Sequence, residues 1–164
     1  MKNAAISLIS IAILLVQSCG IYTFSPSALG GIKTIAISTF ANKTNEYGID
    51  DLITSEVNQA FVNDNTLKVV PTDRADVILY GEVSSYAHDP YTYDETETVR
   101  EYICRITINV KVEYANSEKI LWQDENLSDY GIYSVVDGQT QDDGNITAIG
   151  KLVNEIMNRT VKGW

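Results

Sequence analysis

Apolar and polar residues alternate most regularly between Tyr102 and Tyr114. Tyr102, Cys104, Ile106, Ile108, Val110, Val112 and Tyr114 fall on one side, and Arg105, Thr107, Asn109, Lys111 and Glu113 on the other. A period of two predicts a long strand with one buried and one wet face. Asn116 to Glu118 turn the chain, and Lys119 to Leu127 return as a hairpin partner. Upstream, Asp76 to Tyr86 contains Val77-Ile78-Leu79-Tyr80, apolar on both faces, as a central strand requires. Ile32 to Phe40 reads as a first strand, and Thr66 to Val70 as a short one ended by Pro71.

Two stretches change period. From about Ile49 to Asn63, Leu52, Ile53, Val57, Ala60 and Phe61 recur at helical spacing, with Asp50 and Asp51 at the end that favours negative charge. A final helix is predicted from an Asn145 cap to about Lys162, with an apolar stripe of Ile146, Ile149, Leu152, Val153, Ile156, Met157 and Thr160. Residues 87–98 and 134–144 read as acidic loops. The order predicts a single α+β domain: a mixed, mostly antiparallel sheet of four to five strands with two helices packed on one face. The opposite sheet face is then partly polar and open to a ligand or partner.

The N-terminal region has another character. Lys2 precedes an apolar run from Ala4 to Val16, shorter than the roughly 20 residues a membrane span needs. Leu15-Val16-Gln17-Ser18-Cys19-Gly20 then resembles a lipobox, the acylation motif of bacterial lipoproteins, with Gln17 as found in those of Bacteroidota. The expected organisation is a signal peptide over 1–18, a lipidated tether over 19–31 rich in Ser, Gly and Pro, and the folded domain over 32–164. An ordinary secretory leader that happens to contain a cysteine is the alternative. Each methylene of an acyl chain adds about 0.8 kcal/mol of membrane affinity, so two or more chains on Cys19 hold stably. No Asp follows Cys19 and no acidic run follows it, which points to the periplasmic side of the outer membrane.

Charge and chemistry narrow the function. The chain has a formal net charge of −10, and few cations remain to neutralise phosphates, so a nucleic-acid partner is not expected. With Cys19 acylated, Cys104 has no disulfide partner and is expected to be a buried, inert thiol. The single histidine, His88, provides no metal set of the usual kind, and no nucleophile elbow or phosphate-binding glycine loop occurs. Asp89, Asp94, Glu95 and Glu97, like Asp137, Asp142 and Asp143, lack the ordered spacing of a calcium loop and read as solvated. A binding protein without a cofactor is expected, not an enzyme. Tyr86, Tyr91, Tyr93, Tyr130 and Tyr133 lie in or near two loops. Tyrosine there suits a docking surface, and strand propensity accounts for it equally well.

Taken together, Cys19-Gly20-Ile21-Tyr22, Ile32 to Ile37, Phe40-Ala41-Asn42-Lys43-Thr44, Ala75 to Val83, Arg105 to Val112 and Lys119-Ile120-Leu121-Trp122 resemble the LptE family of lipopolysaccharide-assembly lipoproteins, in the form found in Bacteroidota. The resemblance implies two helices on a four-stranded sheet and a non-enzymatic partner that plugs the large outer-membrane barrel LptD and touches lipopolysaccharide. Arg100, Arg105, Lys111 and Lys119 are the cations placed to meet that anionic lipid. The opening strand also looks like that of periplasmic lipoproteins that activate cell-wall synthases or join secretion assemblies.

Overall fold

The computed structural model describes residues 31–162. The leader, Cys19 and the tether up to residue 30 lie outside the described residues, as do Gly163 and Trp164.

Three long strands dominate: β4 (Val77–Tyr93), β5 (Val99–Tyr114) and β6 (Ile120–Ser134) form an antiparallel meander. Before them come β1 (Thr34–Ile37), β2 (Ala41–Asn42), helix α1 (Ile49–Asp64) and β3 (Lys68–Val69). Helix α2 (Gln141–Met157) follows β6 and ends in a π-turn over Asn158–Lys162. The strand order is β3-β1-β4-β5-β6; β1 runs parallel to both neighbours, and β2 continues alongside β4. The sheet is therefore mixed and mostly antiparallel, with five strand positions.

Both helices cover one face. On α1, Ile49, Ile53, Val57 and Phe61 repeat every fourth residue and are buried. They meet Ile35, Val77, Leu79 and Val83 from β1 and β4, and Ile106, Ile108, Val110 and Val112 from β5. Each such side chain contributes about 1.5–3 kcal/mol on burial. Asp76 fixes the chain's entry: its Oδ2 accepts the backbone N–H of Lys33 and Thr34 at 2.8 and 2.9 Å. Those bonds, Lys33's first, hold its carboxyl below the usual range.

Three expectations need correction. The segment 87–98 is strand up to Tyr93, and only Asp94–Thr98 turns. A bulge between Val83 and Ser85 reverses the alternation, so Val83 and Tyr86 both face the helices. The returning strand likewise runs on to Ser134, past Leu127, through an irregularity in pairing between Val110 and Ile108 where Asn126 takes φ 74°. Helix α2 starts at Gln141: Thr140 and Asp143 form a reciprocal cap, whereas Asn145 is buried. That phase leaves Ile146 53% exposed, outside the apolar stripe.

At two places the packing needs glycine. A Cβ on Gly81 would lie 2.1 Å from the Phe40 ring, which fills that space. A Cβ on Gly131 would lie 2.0 Å from the Gly144 carbonyl oxygen, so β6 and α2 meet there backbone to backbone.

Candidate functional site: the outer sheet face and its distal end

The face turned away from the helices carries Arg105, Thr107, Asn109, Lys111 and Glu113 of β5, as their alternation with buried neighbours requires. A depression of about 390 Å³ lies on it between Tyr80, Glu82, Asn109, Lys111 and Glu125. Asn109 organises this region: its amide donates to Glu82 at 3.4 Å and its Oδ1 accepts the Asn126 N–H of the β6 bulge at 3.1 Å.

The four candidate cations do not gather. Arg100 and Lys111 are eleven residues apart on one strand, about 36 Å at ~3.3 Å per residue. Lys119 sits at the far turn, 5.8 Å from the Tyr114 ring centre. Lys111 pairs with Glu113 at 2.7 Å, which raises its pKa, and its ammonium lies 5.1 Å from the Tyr80 ring centre. Arg105 instead has a cationic neighbour that the sequence did not suggest. Its guanidinium is 5.2 Å from the Tyr130 ring centre, and Lys151 of α2 reaches within 4.3 Å of the same centre. Lys151 is held by the Tyr130 carbonyl at 2.7 Å and by Asp129 at 3.3 Å. It reaches Tyr130 around the edge of the sheet, so helical periodicity gave no sign of it.

The tyrosines divide into two groups. Tyr91 and Tyr93 are exposed near the β4–β5 turn, and Tyr130 is exposed on β6. Tyr86 and Tyr133 face inward. The Tyr86 hydroxyl donates to Asn145 Oδ1 at 2.9 Å and accepts from Gln141 Nε2 at 2.9 Å, and the same Gln141 group donates to Glu46 at 2.9 Å. Burial, with the Cys104 thiol adding to it, pushes the Tyr86 phenol far above its ordinary range. Tyr133 is buried, stacks on His88 and Tyr102, and lies 2.8 Å from His88 Nε2. These contacts join β4 and β5 to β6 and α2 near the starts of both helices. Asn145, Gln141 and Glu46 were not foreseen, because polar residues flanking a helix start read equally well as caps.

Cys104 is fully buried, and desolvation raises its thiol pKa, which leaves it a poor nucleophile. Among the described residues no group of acidic, His or Cys side chains is arranged to hold a metal ion, and no helix is long and apolar enough to cross a membrane.

A mixed sheet covered on one face by two helices and polar on the other defines the class: a single α+β domain. The family is specific. The chain belongs to the LptE family of lipopolysaccharide-assembly proteins, whose model matches residues 32–160. No curated protein sequence matches it. Solved structures share the fold at low identity. A protein from Xanthomonas campestris aligns at TM-score 0.58 and 12% identity, covering 79% of this chain and 84% of that one. A hypothetical protein from Chlamydia trachomatis aligns at TM-score 0.57 and 11% identity, covering 78% and 95%. Uncharacterised lipoprotein B from Nitrosomonas europaea aligns at TM-score 0.56 and 12% identity, covering 80% and 84%.

Proposed function

We propose that this protein is a lipoprotein of the outer membrane, acylated at Cys19 and facing the periplasm, that partners and plugs an LptD-type β-barrel in lipopolysaccharide transport and assembly. The observation that carries this reading is the family match over residues 32–160, almost the whole folded part. The protein works by binding: it catalyses no reaction and uses no cofactor. Acyl chains on Cys19 keep it at the membrane, and the domain contributes two surfaces.

Lipopolysaccharide meets the outer sheet face. Arg105 and Lys151, 5.2 and 4.3 Å from the Tyr130 ring centre, are the cations assigned to a phosphate there. Lys111 continues the same face and Lys119 supplies charge at its hairpin turn, whereas the strand alternation puts Arg100 on the other side of β5. Tyr91, Tyr93 and Tyr130 provide contact area for the barrel, while Tyr86 and Tyr133 hold the shape that presents them.

The test is depletion of the protein in its native cell. Newly made lipopolysaccharide should stop reaching the cell surface and return when the gene is restored; normal surface lipopolysaccharide after depletion would sink the reading. Labelling with radioactive palmitate should mark the wild-type chain and spare Cys19→Ser; equal labelling of both would remove Cys19 as the acyl acceptor.

A further inference from the structure

The strands define two poles. Because β1 runs parallel to β4 and enters beside Asp76, the chain joins the domain where β4 begins. The Asp94–Thr98 turn lies at the other end of β4, about 50 Å away at ~3.3 Å per residue. Gln141, the first residue of α2, lies against Cys104, and its bond to Glu46 brings the segment leading into α1 to the same level. From Cys104 the sheet continues five more residues to Val99, about 16 Å beyond the helix starts. Past the Glu101–Ser134 pair only β4 and β5 remain.

This protruding end is apolar at its surface and acidic around it. Tyr91 and Tyr93 are 51% and 57% exposed, and a bulge between Pro90 and Thr92 leaves Tyr91 out of the pairing. Val135 and Val136 join them from the β6–α2 loop, 42% and 60% exposed, tied in by the Val135 N–H to the Arg100 carbonyl at 3.1 Å. Between residues 89 and 101 five carboxylates face one arginine. The turn is already shaped: Asp94 Oδ1 accepts the backbone N–H groups of Thr96 and Thr98 at 2.8 and 3.0 Å. A two-stranded ribbon is marginal alone in water, so one held in shape with large apolar groups outward is suited to being received.

We propose that this acidic, tyrosine-bearing tip is a docking end, received by a protein whose recess is apolar at its base and ringed by Lys and Arg. Charge complementarity selects that partner over an anionic lipid surface, which the five carboxylates repel. The inference rests on the barrel reading only for the partner's identity.

The experiment places a photo-crosslinking amino acid at Tyr91, Tyr93 or Val136 of the full-length protein in its native membranes, with Ser117 at the opposite pole as control. A tagged barrel is recovered in parallel. The tip positions should give one protein adduct that Ser117 does not. Glu95→Lys with Glu97→Lys should lower its yield about tenfold, as expected for reversed rim charges, with an unchanged thermal melt. Adducts to lipid, equal adducts from Ser117, or a yield unaffected by the reversal would overturn the proposal. Recovery of the barrel without a tip adduct removes the tip proposal and leaves the barrel reading. A charge-dependent tip adduct to another protein, with no barrel recovered, keeps the tip proposal and removes the barrel reading.

Discussion

Adding one methyl group at Gly131 places a Cβ 2.0 Å from the Gly144 carbonyl oxygen and 2.9 Å from Thr147 Cβ. The nearest atom is helix backbone, so no side-chain rotation relieves the clash. Restoring a carbon–oxygen separation of ~3.3 Å requires β6 and α2 to part by roughly 1.3 Å, against the packing of Ile149 and Leu152, which are buried in the shared core. Overpacking of this kind costs about 1–3 kcal/mol. With no soft neighbour the upper figure applies, and about 3 kcal/mol lowers the Tm of a domain of this size by about 10 °C. Two glycines of α2 serve as comparisons. Gly144→Ala meets the Tyr133 ring at 2.9 Å and the Cys104 sulfur at 3.0 Å; a helix-propensity gain of about 1 kcal/mol offsets part of that clash, so a smaller loss is expected. Gly150→Ala meets nothing within 4 Å and should stabilise by about 0.5–1 kcal/mol. Thermal unfolding followed by circular dichroism should rank Gly150→Ala above wild type, then Gly144→Ala, then Gly131→Ala. A Gly131→Ala protein that melts with the wild type would refute the argument that the two backbones touch.

Further predictions concern named contacts. Tyr86→Phe removes the donor to the buried Asn145 and should cost about 1–3 kcal/mol, read as a lower urea midpoint; an unchanged midpoint would show that Asn145 finds another partner. Asp76 has a depressed pKa in the folded state, so the folded protein binds fewer protons there than the unfolded chain. Its contribution is fully present above the unfolded value near ~3.9 and disappears as pH falls through the folded value. Asp76→Asn should therefore be less stable than wild type at neutral pH, with the gap closing in acid; a pH-independent gap would contradict this. Glu substituted at Arg105 and Lys111 should weaken lipopolysaccharide binding in a co-sedimentation assay, and Lys151→Glu should do so comparably to Arg105→Glu. Unchanged binding would take these cations out of the lipopolysaccharide site.

The fold was legible wherever one period held without a break. The β5 alternation stated both the strand and its buried face, and the fourfold repeat of α1 stated that helix. Legibility failed where the backbone changed phase. The bulge at Val83–Ser85 moves the inward positions from odd to even numbers, so Ala87 to Tyr93 no longer looked like a strand. At α2 the expected cap was Asn145, whereas the helix is capped by Thr140 through its reciprocal partner Asp143 three residues later. The site was less legible. Sequence spacing placed Arg105 and Lys111 on one face, and the strand rise keeps them about 20 Å apart. Lys151 arrives near Tyr130 from another element, and no local pattern announces such a meeting.

The central claim is partnership with a large barrel, and its most direct measurement is an affinity pull-down of C-terminally tagged protein from detergent-solubilised outer membranes, with co-purifying chains identified by mass spectrometry. The account predicts a stoichiometric LptD-type barrel that stays bound until the sample is boiled. Recovery of the lipoprotein alone, or of a cell-wall synthase in place of the barrel, would contradict it.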